Sequence, residues 1–230
     1  MHPDFNIDFS EQIKSKELDL LTYKGPNSYP GEENKKFKYL NIDLKPLLNF
    51  PPPLNSSERT KLELLEVKKT TELEHPESFT SKLKDMDDDP TKFVYQYYEK
   101  LSGKKLPRVF IEILNGGDVE TLAMKLKVHY KRPRPYELAL HHDVYFKYNK
   151  KIQKKGTAGT PSYPSGHTMA AYFAAYVASY AKPELRNKLM KRAEMVARSR
   201  IYEGVHFPSD NQFSIFLVEN VLMPAFLKKV

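Results

Sequence analysis

The chain reads as an all-α protein, with a helical domain over residues 51–230 and an irregular arm over residues 1–50 packed on it. Three observations predict this. Apolar residues recur at three- and four-residue spacings in several stretches. No stretch of useful length alternates apolar and polar residues, and prolines and glycines, 17 and 9 of them, fall where helices should start or stop. At 230 residues the chain is long enough to bury a substantial core within a single domain.

Residues 1–50 mix polar and aromatic residues with Pro30, Gly31 and Pro46 and show little sustained periodicity, which gives an irregular arm or short helices wrapped on the body. Pro51, Pro52 and Pro53 forbid helix, and Asn55 to Ser57 offer a cap before Glu58. A helix over about 57–74 follows, with Leu62, Leu65 and Leu73 at near-helical spacing among charged residues. The acidic run 85–89, closed by Pro90, reads as a solvated loop leading into a helix near 91–101.

Pro107 opens a helix that carries Val109, Phe110, Ile113 and Leu114 inward until Gly116 and Gly117 break it. Asp118 is a natural N-cap for the next helix, which runs to about His129. Residues 136–160 form a partly helical, basic connection containing Lys147, Lys150, Lys151, Lys154 and Lys155.

A helix from His167 to about Ala181 comes next, and Pro183 and Glu184 start another that reaches Arg200. Leu185, Leu189, Ala193, Val196, Ala197 and Arg200 fall along one stripe of that second helix, so Arg200 points where the apolar residues point. A buried arginine needs an anionic partner. Pro208 to about Met223 supplies the last helix.

Bulk composition narrows the function. The most apolar stretches, 168–181 and 214–227, are too short, too polar or too interrupted to span a membrane, which gives a protein not integral to one. The first residues show neither a basic region nor an apolar core of a secretory signal. The expectation is a soluble protein, cytoplasmic as the sequence stands, and periplasmic or secreted only if a signal peptide has been removed. The absence of cysteine excludes disulfides, thiolate zinc sites and thiol catalysis. A net charge of +8 and a pI near 9.3 favour anionic partners without choosing among nucleic acid, lipid headgroups and small phosphates.

Three short segments carry the chemistry. In KVHYKRPRP (127–135), Lys127 and Arg134 are seven residues apart, about two helical turns, so both can face one ligand. Lys125 and Arg132 have the same spacing, which leaves the register open between the two pairs; the later pair is preferred. In PSGH (164–167), a turn delivers backbone N–H groups and the Ser165 hydroxyl to the start of a helix, where partial positive charge and unsatisfied donors favour an anion such as phosphate. His167 follows Gly166 there and, protonated, could give a proton to a leaving group. In SRIYEGVHFPSD (199–210), the four-residue gap between His206 and Asp210 lets the carboxylate bind one imidazole nitrogen and leave the other free as a nucleophile.

The ordered pattern K-x6-R-P, P-S-G-H, S-R-x5-H-x3-D resembles the type 2 phosphatidic acid phosphatase superfamily, which includes bacterial class A nonspecific acid phosphatases and vanadium haloperoxidases. The class A acid phosphatases are the closer likeness, through Ser162-Tyr163, Thr168 and the Phe50-Pro51-Pro52-Pro53 stretch. The resemblance implies a helical bundle and an acid phosphatase with possible phosphotransferase activity. His206 would attack phosphorus to form a phosphohistidine, Asp210 would orient it, and His167 would protonate the leaving oxygen. Lys127, Arg134, Ser165, Gly166 and Arg200 would hold the phosphate oxygens, with no metal and no cofactor required. A small phosphorylated substrate and a homo-oligomeric assembly are implied, with no obligatory nucleic acid. One departure stands out: Asn211-Gln212-Phe213-Ser214 follow Asp210, where the family commonly has small residues.

Two rival readings differ in chemistry. A haloperoxidase with bound vanadate would use nearly the same residues. A non-catalytic anion or nucleic-acid binder would need basic and aromatic residues interleaved along a face, for which 145–155 is the candidate; it has no use for a nucleophile beside an acid.

Overall fold

Every regular element among the described residues, 9–25, 29–146 and 158–230 of the computed structural model, is helical, as the periodicity predicts. In chain order the helices are α1 (Phe9–Asp19), α2 (Glu58–Glu72), α3 (Glu77–Thr80), α4 (Leu83–Asp88), α5 (Pro90–Ser102), α6 (Arg108–Leu114) and α7 (Asp118–Tyr130). After them come α8 (Pro135–Leu138), α9 (Gly166–Ala181), α10 (Arg186–Tyr202), α11 (Pro208–Leu217) and α12 (Met223–Leu227). A π turn over Val218–Leu222 joins the last two into one nearly continuous rod. No described helix is long and apolar enough to cross a membrane.

Helix ends follow local chemistry. Ser57 caps α2, its hydroxyl accepting the Thr60 N–H at 3.2 Å, and the Asp89 carboxylate caps α5 through the Lys92 N–H at 2.8 Å. Gly103 ends α5 in the left-handed conformation, φ 68°, where a residue with a Cβ would be strained.

Helix α9 is the centre of the bundle, packing against α10, α5, α11 and α7. Its Ala171, Ala174, Ala175 and Ala178 are buried, and these small side chains let neighbouring helices come close. Phe173 fills the deeper end, edge-on to Phe226 at 6.1 Å, and burying such a ring stabilises the fold by about 1.5–3 kcal/mol. The stripe of α10 and the turn before it, Leu185 to Arg200, is buried in full as the sequence predicts.

Several expectations need correction. Leu62, Leu65 and Leu73 face solvent; the inward side of α2 is Thr60, Glu63, Leu64 and Val67, because Glu63 finds a buried arginine. Val109 is exposed, while Phe110, Ile113 and Leu114 are buried. The acidic run is not a solvated loop: it forms α4, with Met86 in the core and Asp87 buried against Arg200. Gly117, at φ 86°, is the N-cap of α7. Asp118 sits one residue further in, and its carboxylate accepts the backbone N–H groups of Lys38, Tyr39 and Leu40 at 2.6, 2.8 and 2.7 Å. The lysines of the basic connection, Lys147 to Lys155, lie outside the described residues.

Candidate active site

Three helix ends meet at one cavity of about 400 Å³: the C-terminal turn of α7, the N-terminus of α9 and the loop before α11. Lys127, Gly166, His167 and His206 line it, with Asp87 and Tyr29 on its walls.

His206 and Asp210 are four residues apart across the entry to α11, with Phe207 as N-cap and Pro208 as the first helical residue. His206 Nδ1 is 3.0 Å from Asp210 Oδ2, and both side chains are fully buried. On the other side of the ring, Nε2 is 2.9 Å from Nη1 of Arg134. A guanidinium can only donate, so Nε2 must accept and the imidazole proton resides on Nδ1, donated to Asp210. The site therefore holds His206 as a neutral imidazole whose Nε2 lone pair accepts from Arg134, with the ring at the edge of the cavity.

Asp210 is saturated with donors. Oδ1 accepts from Arg132 Nη1 at 2.6 Å, and Oδ2 accepts from the Phe207 N–H at 2.9 Å, from the Ser162 hydroxyl and from His206. Burial alone would raise its proton affinity, but Arg132 and the hydrogen bonds from His206 and Ser162 hold the carboxyl well below the usual carboxylate range.

The cations come from separate elements. Lys127 Nζ donates to the Pro161 and Ser162 carbonyls, the latter at 3.3 Å. Arg134, fully buried, donates from Nε to the Thr160 carbonyl at 2.9 Å and from Nη1 to the Val205 carbonyl at 2.6 Å. Lys125 instead reaches the Glu33 carbonyl at 2.5 Å, whereas Lys127 lines the cavity and Arg134 stands behind it against His206, which also lines it. Arg200 Nη1 bonds Asp87 Oδ1 at 2.8 Å and Glu203 Oε2 at 2.7 Å, while its buried Nε and Nη2 have no partner.

His167 Nε2 is 3.0 Å from the Asp87 backbone oxygen and 3.5 Å from its carboxylate. Because the carbonyl can only accept, that nitrogen carries a proton. Ser165 is the N-cap of α9: its hydroxyl donates to Thr168 Oγ1 at 2.9 Å and accepts the Thr168 N–H at 3.4 Å, and it does not line the cavity. The groups presented there are Gly166 and His167. Asn211 and Ser214, the departures after Asp210, are buried and used. Asn211 Oδ1 accepts from Thr168 Oγ1 at 2.7 Å, and Ser214 Oγ lies 2.9 Å from the Ser165 carbonyl.

The electrostatics share one direction. Burial, then the neighbouring Arg134, pushes Lys127 well below the ordinary lysine range. Burial and Arg200 push His167 down, and burial and Arg134 push His206 down. Arg134 itself is lowered by burial. Buried cations that destabilise one another, with a buried guanidinium edge unpaired, make a site in want of an anion. Among the described residues, no group of three His, Cys, Asp or Glu side chains is placed to hold a metal ion.

Three contributors were not singled out from sequence, Glu63, Asp87 and Glu203, and Ser162 was noted only as part of the family likeness, without a role. Of these only Asp87 had a local signal, an acidic run just before a proline, and that signal reads equally well as surface.

Comparison with known proteins places the same residues in context. Residues 110–220 match the PAP2 superfamily. A non-specific acid phosphatase of Providencia stuartii is 36% identical over 98 residues, covering 43% of this chain and 37% of that protein. One of Salmonella typhi is 32% identical over 115 residues, covering 48% of this chain and 43% of that protein. The matches thus span about two fifths of these relatives' lengths. Every residue of the three motifs, Lys127 through Asp210, falls inside the segment that matches the PAP2 superfamily.

Proposed function

We propose that this protein is an acid phosphatase, a phosphomonoester hydrolase that works through a phosphohistidine on His206. The observation that carries the reading is the state of His206. Its Nδ1–H is tied to Asp210, its Nε2 lone pair accepts from Arg134, and the ring lines a cavity together with Lys127 and the start of α9. The names of the Providencia and Salmonella relatives support the same reaction class.

A phosphomonoester entering the cavity gives its oxygens to Lys127, to Arg134, to the unpaired Nε and Nη2 edge of Arg200 and to the N–H groups at the start of α9. Arg134 then exchanges the imidazole for phosphate, which frees Nε2. Nε2 attacks phosphorus, the bond from phosphorus to the leaving oxygen breaks, and His167 gives that oxygen a proton. With Nε2 of His167 committed to the Asp87 carbonyl, the transfer is made from Nδ1, which takes up its proton from the monoester monoanion or from solvent once the bound phosphate's negative charge stabilises the imidazolium. Water, or another alcohol, next attacks phosphorus, the P–N bond breaks, His167 takes the proton, and phosphate leaves. The chain's own cations neutralise the charge at each stage, so the cycle calls on no metal or cofactor.

Hydrolysis of p-nitrophenyl phosphate from pH 4 to 8, with chelator present and a His206→Ala control alongside, tests this reading. Chelator-resistant turnover that the control lacks supports it. Absence of turnover together with bromide oxidation by peroxide in the presence of vanadate would replace it.

A further inference from the structure

The two arginines of the first motif sit on opposite sides of one histidine. Arg134 meets His206 at Nε2, while Arg132 meets Asp210, which holds the ring at Nδ1. Arg132 is 2% exposed, with its guanidinium 3.8 Å above the Phe207 ring. Its Nη1 donates to Asp210 Oδ1 at 2.6 Å and to Ser209 Oγ at 2.8 Å, and Nη2 donates to Glu63 Oε2 at 3.3 Å. Glu63 is itself fixed by the Ser209 N–H at 3.1 Å and the Ser209 hydroxyl at 2.7 Å. A line of alternating charge, Glu63, Arg132, Asp210, therefore ends on His206, and it begins on α2, outside the segment matched by the superfamily.

We propose that Arg132, held by Glu63, is a positioning residue that loads Asp210 from behind and keeps His206 a neutral acceptor at Nε2 in acid. The inference rests on the phosphohistidine reading above. A carboxylate facing only an imidazole would draw a second proton onto the ring. Asp210 already neutralises a guanidinium and accepts from Ser162 and Phe207, so less of its charge remains to stabilise an imidazolium. Sparing the nucleophile from protonation extends its working range downward in pH. It also makes the imidazole a better leaving group from phosphorus when the phosphohistidine is hydrolysed.

The other charged groups acting on His206 are Arg134 before α8 and Lys127 from α7; His167 at the start of α9 shares the cavity, and Arg200 on α10 stands behind His167, both bonded to Asp87 of α4. The cations among them oppose protonation of the ring as well, and they are present equally in the variants below, so a difference between variants reads the line from Glu63 alone.

The test is the titration of the His206 ring nitrogens by 15N NMR in the unliganded protein, together with the acidic limb of kcat/KM. Arg132→Gln should move the His206 midpoint upward by about one pH unit and carry the acidic limb with it. Glu63→Gln, which leaves Arg132 less compensated, should move both downward. The Glu63→Gln/Arg132→Gln pair removes both charges and should shift them up by less, which keeps the inference testable if Arg132→Gln alone does not fold. A fall in kcat with an unmoved midpoint, or shifts of the same sign in both single variants, would overturn it. The NMR midpoint reads the line even in a protein without turnover, so its outcome is separate from that of the phosphatase assay.

Discussion

Asp87 joins Arg200 and His167 at one point: its Oδ1 is 2.8 Å from Arg200 Nη1, and its backbone oxygen is 3.0 Å from His167 Nε2. In the unliganded protein this carboxylate and Glu203 balance the buried Arg200 while leaving the Nε and Nη2 edge open. An Asp87→Ala variant keeps the carbonyl but loses the ion pair. A charged hydrogen bond of this kind contributes about 1.5–3 kcal/mol, so kcat/KM for p-nitrophenyl phosphate should fall roughly 10- to 100-fold. Unchanged kcat/KM in a folded Asp87→Ala protein would mean that Glu203 alone orients Arg200.

His167 should matter in proportion to how much help the leaving group needs. p-Nitrophenolate departs without a proton, whereas an alkoxide does not. His167→Ala is therefore expected to slow hydrolysis of an alkyl phosphate by about 10²–10⁴-fold, the usual worth of a positioned acid, and that of p-nitrophenyl phosphate by far less. Equal losses on the two substrates would remove His167 from the role of acid.

The site was legible in the sequence where its residues are close in the chain and fixed by a helix end. Lys127 and Arg134 flank the end of α7, Gly166 and His167 start α9, and His206 and Asp210 straddle the entry to α11. It was illegible where a charge is buried only because a distant partner neutralises it. Asp87 lies 113 residues before Arg200, and Glu63 lies 69 before Arg132; neither has a local pattern that separates it from a surface acid. The same physics misdirected the reading of α2. Its leucines at 62, 65 and 73 looked like the inward face, but a carboxylate with a buried arginine outcompeted them for the interior.

The depressed histidines make stability depend on pH with a definite sign. Both favour the neutral form in the folded protein, so below the ordinary histidine range near pH 6.5 the unfolded chain takes up protons that the folded chain refuses. Stability should fall between pH 7 and 5, by up to about 1.4 kcal/mol per pH unit for each histidine. Lys127, pushed down from the lysine range, acts with the same sign in a window that opens at the ordinary lysine range and extends downward from it. Asp210 acts in a separate window: its contribution is full above about pH 4 and is lost as pH falls further. Melting temperatures of the wild type and of His167→Asn/His206→Asn at pH 7, 6 and 5 check this. The double variant should show the shallower slope, and equal slopes would assign the pH dependence elsewhere.

Asp118 anchors the arm that supplies Tyr29 to the cavity wall. Its carboxylate takes three backbone N–H groups, from Lys38, Tyr39 and Leu40, and is 2% exposed. Asp118→Ala leaves those donors without a partner inside the protein, a loss of about 3 kcal/mol or more when set against 1.5–3 kcal/mol for a single bond to a charged group. For a chain of this size that corresponds to a melting temperature lower by roughly 6–12 °C. The arm should loosen before the bundle does, because the three hydrogen bonds of the Asp118 carboxylate all go to arm residues. Trypsin is then expected to cut first at Lys35, Lys36 or Lys38, leaving the remainder resistant. KM should rise as the Tyr29 wall is lost, while kcat stays near that of the wild type, since His206, Asp210 and His167 keep their contacts. Cleavage distributed over the whole chain, or a parallel fall in kcat, would show that the arm and the bundle unfold as one unit.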